Sequence, residues 1–307
     1  MRPMDERDLK ARRFLEARFD GRAQDFALLG LGEWSRAYAL RLDGRDVVVR
    51  FGPYREDFEK DRVMAAYSCT ALPIPEVLEV GAAPRGFYCV SARVPGESLE
   101  GLDLPGVKSA LPDLLETLEA LRAVDIGGTQ GFGYWSPNGR GENGSWAEAL
   151  LAVADQGGRI AGWRDRLEVM APGLARTFDR GVETLRRLAP KLPDLRHIVH
   201  GDILGNVLVD EGKLRGVIDW GNAMYGDPLY DIAWLLYWWP WFPAWQDLDL
   251  AALLDRHWQT HGGPPALAED RLRCCLIQIG LSHVAYCAFK GRREDLERNA
   301  EQLSSYL

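Results

Sequence analysis

The stretch His200-Gly201-Asp202-Ile203-Leu204-Gly205-Asn206, followed by Val207-Leu208-Val209 and then by Gly216-Val217-Ile218-Asp219-Trp220, decides the reading of this chain. It sets two isolated aspartates and one asparagine on loops at the ends of short apolar runs. A β-hairpin with polar turns would show the same apolar pattern, but it has no need of two acids facing one strand edge. Phosphoryl transfer does need them. Asp202 suits a place beside an attacking hydroxyl, and Asn206 and Asp219 suit the magnesium ions that neutralise a triphosphate.

Upstream of that stretch, residues 26–51 alternate as three antiparallel strands: Phe26 to Leu29, Ala37 to Leu42 and Val47 to Phe51. Asp43-Gly44 supplies the turn between the last two. A helix over about 56–68 follows, and Pro73 and Pro75 separate it from a strand pair at 76–80 and 87–91. After Val94-Pro95-Gly96 the pattern turns helical, with Leu114, Leu118, Leu121 and Val124 on one face of the first helix. Residues 127–145, crowded with Gly, Asn and Pro, read as an exposed loop. Helices at 146–156 and 173–189, strands at 197–200 and 206–219, and a helical remainder complete the chain.

This order predicts an α+β, protein kinase-like two-lobed fold. Its small antiparallel-sheet N-lobe (1–95) binds nucleotide, and its larger, mostly helical C-lobe (96–307) carries catalysis and substrate, with the nucleotide in a cleft between them.

Several further residues fit that frame, each beside a plainer alternative. Gly30-Leu31-Gly32-Glu33-Trp34-Ser35 sits between the first two strands, where a glycine turn lets backbone amides near Gly32 and Ser35 approach phosphates; a simple hairpin turn has the same look. Arg50 closes the third strand where a kinase carries its phosphate-binding lysine, and an arginine fork can make the same contacts. Its partner on the next helix is Asp61, with Glu59 as the substitute. His200 reads as a prop for the catalytic loop. Asp227-Pro228-Leu229-Tyr230-Asp231 opens an apolar helix, with Asp227 as its cap, and supports the site. Trp238, Trp239, Trp241 and Trp245 cluster around Pro240; packing explains most of them, while Trp238 and Trp241 are candidates to flank a sugar ring. His257-Trp258-Gln259-Thr260-His261 has the i, i+4 spacing of a zinc-binding helix, but Trp258 stands where a zinc hydrolase needs glutamate.

Composition narrows the partners. At 307 residues, 47% hydrophobic and 27% charged, the chain has enough apolar material for two cores. A net charge of -8 opposes nucleic-acid binding and favours a cationic or polyhydroxylated small molecule. Residues 1–19 read as an amphipathic helix without the apolar centre of an export signal, and no uninterrupted apolar run reaches a membrane span, so a cytoplasmic protein with no membrane partner is expected. Five cysteines with no Cys-x-x-Cys pair read as buried fillers in a reducing compartment.

Taken together, the motifs resemble the aminoglycoside phosphotransferase family, with its His-Gly-Asp, four residues, Asn, then Ile-Asp-Trp and Gly-Asp-Pro. The likeness runs from about Glu33 to the C-terminal helices and includes Glu33-Trp34-Ser35-Arg36-Ala37-Tyr38, Lys60-Asp61-Arg62, Ala71 to Leu78, Tyr88-Cys89-Val90-Ser91 and Trp238-Trp239-Pro240-Trp241. It implies an ATP- and Mg2+-dependent kinase acting on a hydroxyl of an aminoglycoside or aminocyclitol antibiotic, and so conferring resistance. By the same carry-over Asp202 is the catalytic base that meets the substrate, Asn206 and Asp219 hold magnesium, Arg50 with Asp61 holds the phosphates, and the backbone near Ser91, Ala92 and Val94 meets the adenine. One departure stands out: three residues, not four, separate Asp202 from Asn206, so that either Asn206 sits differently against the metal or Gly205 absorbs the deletion by a backbone conformation closed to other residues. A kinase of an endogenous polyhydroxylated metabolite and a nucleotide-binding pseudokinase with a regulatory role remain the alternatives.

Overall fold

In the computed structural model, which describes residues 5–307, alternating apolar positions of the N-terminal region become paired strands. The elements run in the order α1 (Glu6–Arg18), β1 (Ala23–Leu31), β2 (Arg36–Leu42), β3 (Arg45–Gly52), α2 (Arg55–Ala65), β4 (Val77–Ala83), β5 (Gly86–Ala92) and β6 (Glu97–Ser98). Next come α3 (Leu104–Arg122), β7 (Phe132–Ser136), β8 (Arg140–Asn143), α4 (Trp146–Leu151), α5 (Trp163–Met170), α6 (Pro172–Leu188) and β9 (His197–Val199). The chain ends with β10 (Val207–Asp210), β11 (Lys213–Val217), β12 (Met224–Gly226), α7 (Leu229–Trp238), α8 (Leu250–Thr260), α9 (Ala268–Lys290) and α10 (Arg293–Ser304).

The described residues form two units, and the chain crosses between them more than once. The first contains the residues up to Ser98 together with Asn206–Asn222; the second contains Leu99–Gly205 and Ala223–Leu307. Where the sequence reading divides the chain once, after residue 95, strand pairing carries the first unit slightly further and brings a later segment into it. β10 pairs with β6 through Leu208 opposite Ser98 and Val209 opposite Glu97.

In the first unit a five-stranded antiparallel sheet has the order β1-β2-β3-β5-β4. Leu42 pairs with Arg45, so Asp43-Gly44 forms the two-residue turn. Leu40, Val47, Val49, Tyr88 and Val90 point to one face, which Leu15 of α1 and Phe19 at its C-terminal cap cover. Leu9, placed on the apolar side of the expected N-terminal helix, is 41% exposed; the first four residues of that helix lie outside the described ones. The docking of α1 is partly polar instead. Asp5 caps the helix by accepting from the Arg7 and Asp8 amides, and Asp8 returns a bond to the Asp5 amide, a reciprocal capping box. Arg36 on β2 donates to both carboxylates, and the Tyr38 hydroxyl donates to the buried Asp8.

The second unit is mostly helical, with a four-stranded sheet of order β8-β7-β12-β9. Residues 127–145 are therefore not simply a loop: β7 and β8 form a hairpin there, with Trp135 buried and opposite Gly141. At the centre lies α9, whose 23 residues include an 18-residue window of mean hydropathy 1.4, long and apolar enough to cross a membrane. Here α5, α6, α7 and α10 surround it, and Cys274, Cys275, Ile277, Leu281 and Ala285 are buried in the core, which accounts for that composition. Four cysteines are buried as expected, but Cys69 is exposed. A buried ion pair enters this interior: Arg271 on α9 makes a bidentate pair with Asp227 just before α7, at 2.7 and 2.6 Å.

Two consequences can be measured. Arg271→Met leaves the Asp227 carboxylate buried without its cation and is expected to lower unfolding free energy in urea by about 3–5 kcal/mol. Arg293→Ala, which breaks an exposed pair with Glu297, should cost under about 1 kcal/mol. At the other end, the hydrogen bond from Arg36 holds the Asp5 carboxyl down to about 2. Its stabilisation is therefore present above the ordinary carboxyl value and is lost as pH falls toward about 2. Asp5→Asn should lower the urea midpoint at pH 6, and its gap from wild type should close between pH 4 and pH 2.

Candidate active site

Three of the sequence-marked residues meet in the first unit. Arg50, at the end of β3 and opposite Cys89 of β5, extends its guanidinium under the ring of Phe58 and onto Asp61 of α2. The other arm of the same guanidinium reaches Asp219, at 3.1 Å. The remaining oxygen of Asp61 accepts the Trp220 amide at 2.9 Å. One α2 carboxylate thus fixes both the strand-end cation and the backbone that follows Asp219. Glu59, the substitute partner, instead pairs with Arg55 and Arg62.

Asp219 itself has φ +62, a left-handed conformation that costs an L residue free energy but is tolerated best by Asn and Asp. Its side chain is 44% exposed, beside the largely covered Arg50 and Asp61. Asn206 lies at the start of β10, where its carbonyl accepts the Ile218 amide at 2.9 Å, so both ends of the β10–β11 hairpin are tied at that point. A carboxamide and a carboxylate are oxygen donors of the kind magnesium takes. The residues present therefore fit that ion.

The glycine turn is compact. The Gly32 amide donates to the Ser35 carbonyl at 2.9 Å, closing the β1–β2 connection. At the opposite end of the sheet Ser91 pairs with Val48 and Ala92 with Val47. The Ala92 amide is already bonded to the Glu76 carbonyl, and the Val94 side chain packs on the backbone of Gly216.

The second unit holds His200, Asp202 and Asp231 as a separate cluster. Asp231, on the first turn of α7, is buried, and its two oxygens accept the amides of His200 and Gly201 at 2.8 and 2.9 Å. Burial pushes its carboxyl up to about 6, with those two amides acting against the shift. Gly201 turns with φ +76, which only glycine adopts without strain. The Asp202 amide then donates to Nδ1 of the buried His200 at 3.2 Å, so the neutral imidazole carries its proton on Nε2. His200 thus acts on the loop backbone, and the Asp202 carboxylate is left on a partly exposed turn.

Asp227 accepts the Leu229 amide at 2.9 Å but stands one residue outside the expected place, since Pro228 is the N-cap of α7, and its stronger contact is the buried fork of Arg271. Nothing in the local motif names Arg271. Arg271 stands in the charged first turns of α9, among Glu269, Asp270 and Arg273, so its type did not mark it out. The shortened loop is also accommodated differently from expectation: Gly205 is not among the residues with positive φ. Residues 204–206 form one 3₁₀ turn, and a Cβ at Gly205 would meet the Glu100 carboxylate oxygens at 3.2 and 3.3 Å. A close approach, and not a left-handed backbone, is what glycine serves there. Burial pushes the Glu100 carboxyl upward.

Trp238 and Trp241 form an aromatic group with His283 of α9. The Trp238 and His283 rings meet edge to face at 4.5 Å, and Trp241 lies 5.2 Å from Trp238. Arg298 sits 4.1 Å over the Trp241 ring, whose Nε1 donates to Gln302. Desolvation pulls His283 down to about 4, so it is neutral near pH 7. These contacts bind the α7 end to α9 and α10 and leave both tryptophans only partly buried.

The chain is 33% identical over 286 residues to hygromycin-B 4-O-kinase of Escherichia coli, covering 92% of this chain and 80% of that protein. The crystal structure of a thermostable mutant of aminoglycoside phosphotransferase APH(4)-Ia, in ternary complex with AMP-PNP and hygromycin B, matches with a TM-score of 0.82 and 32% identity over 96% of each chain. The GDP complex of aminoglycoside 2'-phosphotransferase-IIIa matches over 98% of each chain with a TM-score of 0.64, but at 15% identity this speaks for the fold alone. The model of the phosphotransferase enzyme family, APH, matches residues 25–269, and the chain belongs to that family.

Proposed function

We propose that this chain transfers the γ-phosphate of ATP to a hydroxyl of hygromycin B or a closely related aminocyclitol, and so confers resistance to it. The observation that carries the reading is the identity of 33% across 92% of the chain with a hygromycin-B 4-O-kinase. The AMP-PNP in the related ternary complex supports ATP as donor. A net charge of -8 suits a cationic, polyhydroxylated acceptor.

In the proposed mechanism the Asp202 carboxylate orients the acceptor hydroxyl and takes its proton as the oxygen attacks the γ-phosphorus, while the bond from that phosphorus to the β,γ-bridging oxygen breaks and ADP leaves. The support is geometric: His200 and Asp231 hold the backbone on either side of Gly201, so the carboxylate is presented from a fixed turn. Arg50 would hold the α- and β-phosphates. Its charge is permanent, and Asp61 fixes its direction. Asn206 and Asp219 would hold magnesium, which when bound neutralises charge on the phosphate oxygens. Gly32 and Ser35 would meet the phosphates through backbone, and the β5 end at Ser91 and Ala92, with Val94 beyond it, would meet the adenine. Trp238 and Trp241 would flank a sugar ring of the acceptor. The protein would work in the cytoplasm, where ATP is available.

Two experiments test this. Asp202→Ala should reduce kcat by about 10²- to 10⁴-fold while ATP affinity by calorimetry stays within a few-fold of wild type; near-normal turnover would refute the assigned base. Expression in a sensitive host should raise the tolerated concentration of hygromycin B above that of other aminoglycosides, and the purified protein should phosphorylate it with ATP and Mg2+. Turnover of none of these antibiotics, with slow magnesium-dependent ATP hydrolysis retained, would move the acceptor to an endogenous metabolite. Tight metal-independent nucleotide binding without any hydrolysis would instead favour the pseudokinase.

A further inference from the structure

Helices α3 and α8 of the second unit carry a side-chain cluster that the proposed transfer does not use. His257, on the last turn of α8, and His261, which ends it, lie one turn apart with ring centroids 4.2 Å from each other. Facing them, one turn apart on α3, are Glu116 and Glu119. Oε1 of Glu116 stands 3.5 Å from Nε2 of His261 and 3.8 Å from Nδ1 of His257. One ligand atom from each of Glu116, His257 and His261 lies within 4.8 Å of the others. Donors bound tetrahedrally to zinc at about 2.0–2.2 Å stand roughly 3.3–3.5 Å apart, so a small inward turn of the exposed Glu116 and His261 ends suffices.

The outward nitrogens are placed to match. Nδ1 of His261 is 2.8 Å from the His257 carbonyl, which can accept its proton and leave Nε2 with a lone pair. Nε2 of His257 is 3.5 Å from Glu119, which leaves Nδ1 facing Glu116. A backbone carbonyl and a carboxylate are the acceptors that usually set the tautomer and tilt of a ligating histidine. The His257 side chain is only 8% exposed, whereas that of Glu116 is 58% exposed, so the cluster is anchored on one side and open to water on the other.

We propose that His257 Nδ1, His261 Nε2 and a Glu116 oxygen bind a dication of the zinc class, with water completing the set and Glu119 orienting His257. Two imidazoles select such an ion over magnesium, which prefers an all-oxygen shell. Trp258 occupies the position of a hydrolase glutamate, so the ion does no hydrolysis there; it clasps α8 to α3.

The full-length protein, kept in excess Mg2+ to fill oxygen sites, should be titrated with Co2+ as a visible probe and then with Zn2+ in competition. A saturable Co2+ band at a single equivalent, displaced by Zn2+, is expected, together with a thermal midpoint that rises with Zn2+ concentration. His261→Gln and Glu116→Gln should each weaken Zn2+ binding by more than about tenfold. Their circular dichroism, metal-free midpoint and kinase turnover should stay at wild-type values. His197→Gln, which alters a half-buried histidine outside the cluster, should leave the titration unchanged. The absence of a saturable band, or equal affinity in wild type and both variants, would mean that these contacts are ion pairs only and would overturn the site.

Discussion

The Asp61 carboxylate is the point on which the first unit's polar architecture turns. One of its oxygens engages Arg50 and the other the Trp220 amide, so α2, the end of β3 and the segment after β11 are fixed by one side chain. Asp61 is itself largely buried, and a buried carboxylate is tolerable only when each oxygen has a strong donor. The same requirement makes the arrangement specific. Moving any of the three segments leaves an acid or an amide without its partner.

The second unit repeats this logic with a different acid. Asp231 receives two consecutive amides, and the glycine between His200 and Asp202 makes that double acceptance possible. In both units a buried aspartate holds backbone, beside a neighbouring aspartate that is more exposed. The division of labour follows from solvent. A covered carboxylate is expensive to leave unpaired and therefore rigid, while a partly exposed one can exchange partners.

Much of this was legible in the sequence wherever a periodic apolar pattern and a local motif coincide. Alternation over 37–51 marks β2 and β3 because each strand buries one face under α1. The motif around Asp202 was legible because its residues are close in sequence. The β7–β8 hairpin was not, since β8 consists of Arg, Gly, Glu and Asn and offers no apolar alternation; it is held by pairing to its neighbour. α5 escaped because its eight residues, four of them charged, barely exceed two turns. The partners Arg271 and Glu100 lie 44 residues after Asp227 and 105 before Gly205, and no spacing rule joins such pairs. Gly205 shows the limit most clearly: its identity was readable as a constraint, but whether that constraint was torsional or steric depended on a side chain elsewhere.

The backbone at residue 219 carries a consequence for the sequences this fold can accept. The position requires an acid that can pair with Arg50, and it requires a left-handed residue. Glycine and asparagine satisfy the torsion but bring no charge, and glutamate brings the charge with a side chain less at ease in that conformation and one methylene longer. Two unrelated demands therefore intersect on a single amino acid. Even the most conservative exchange of one acid for another is a change of shape there.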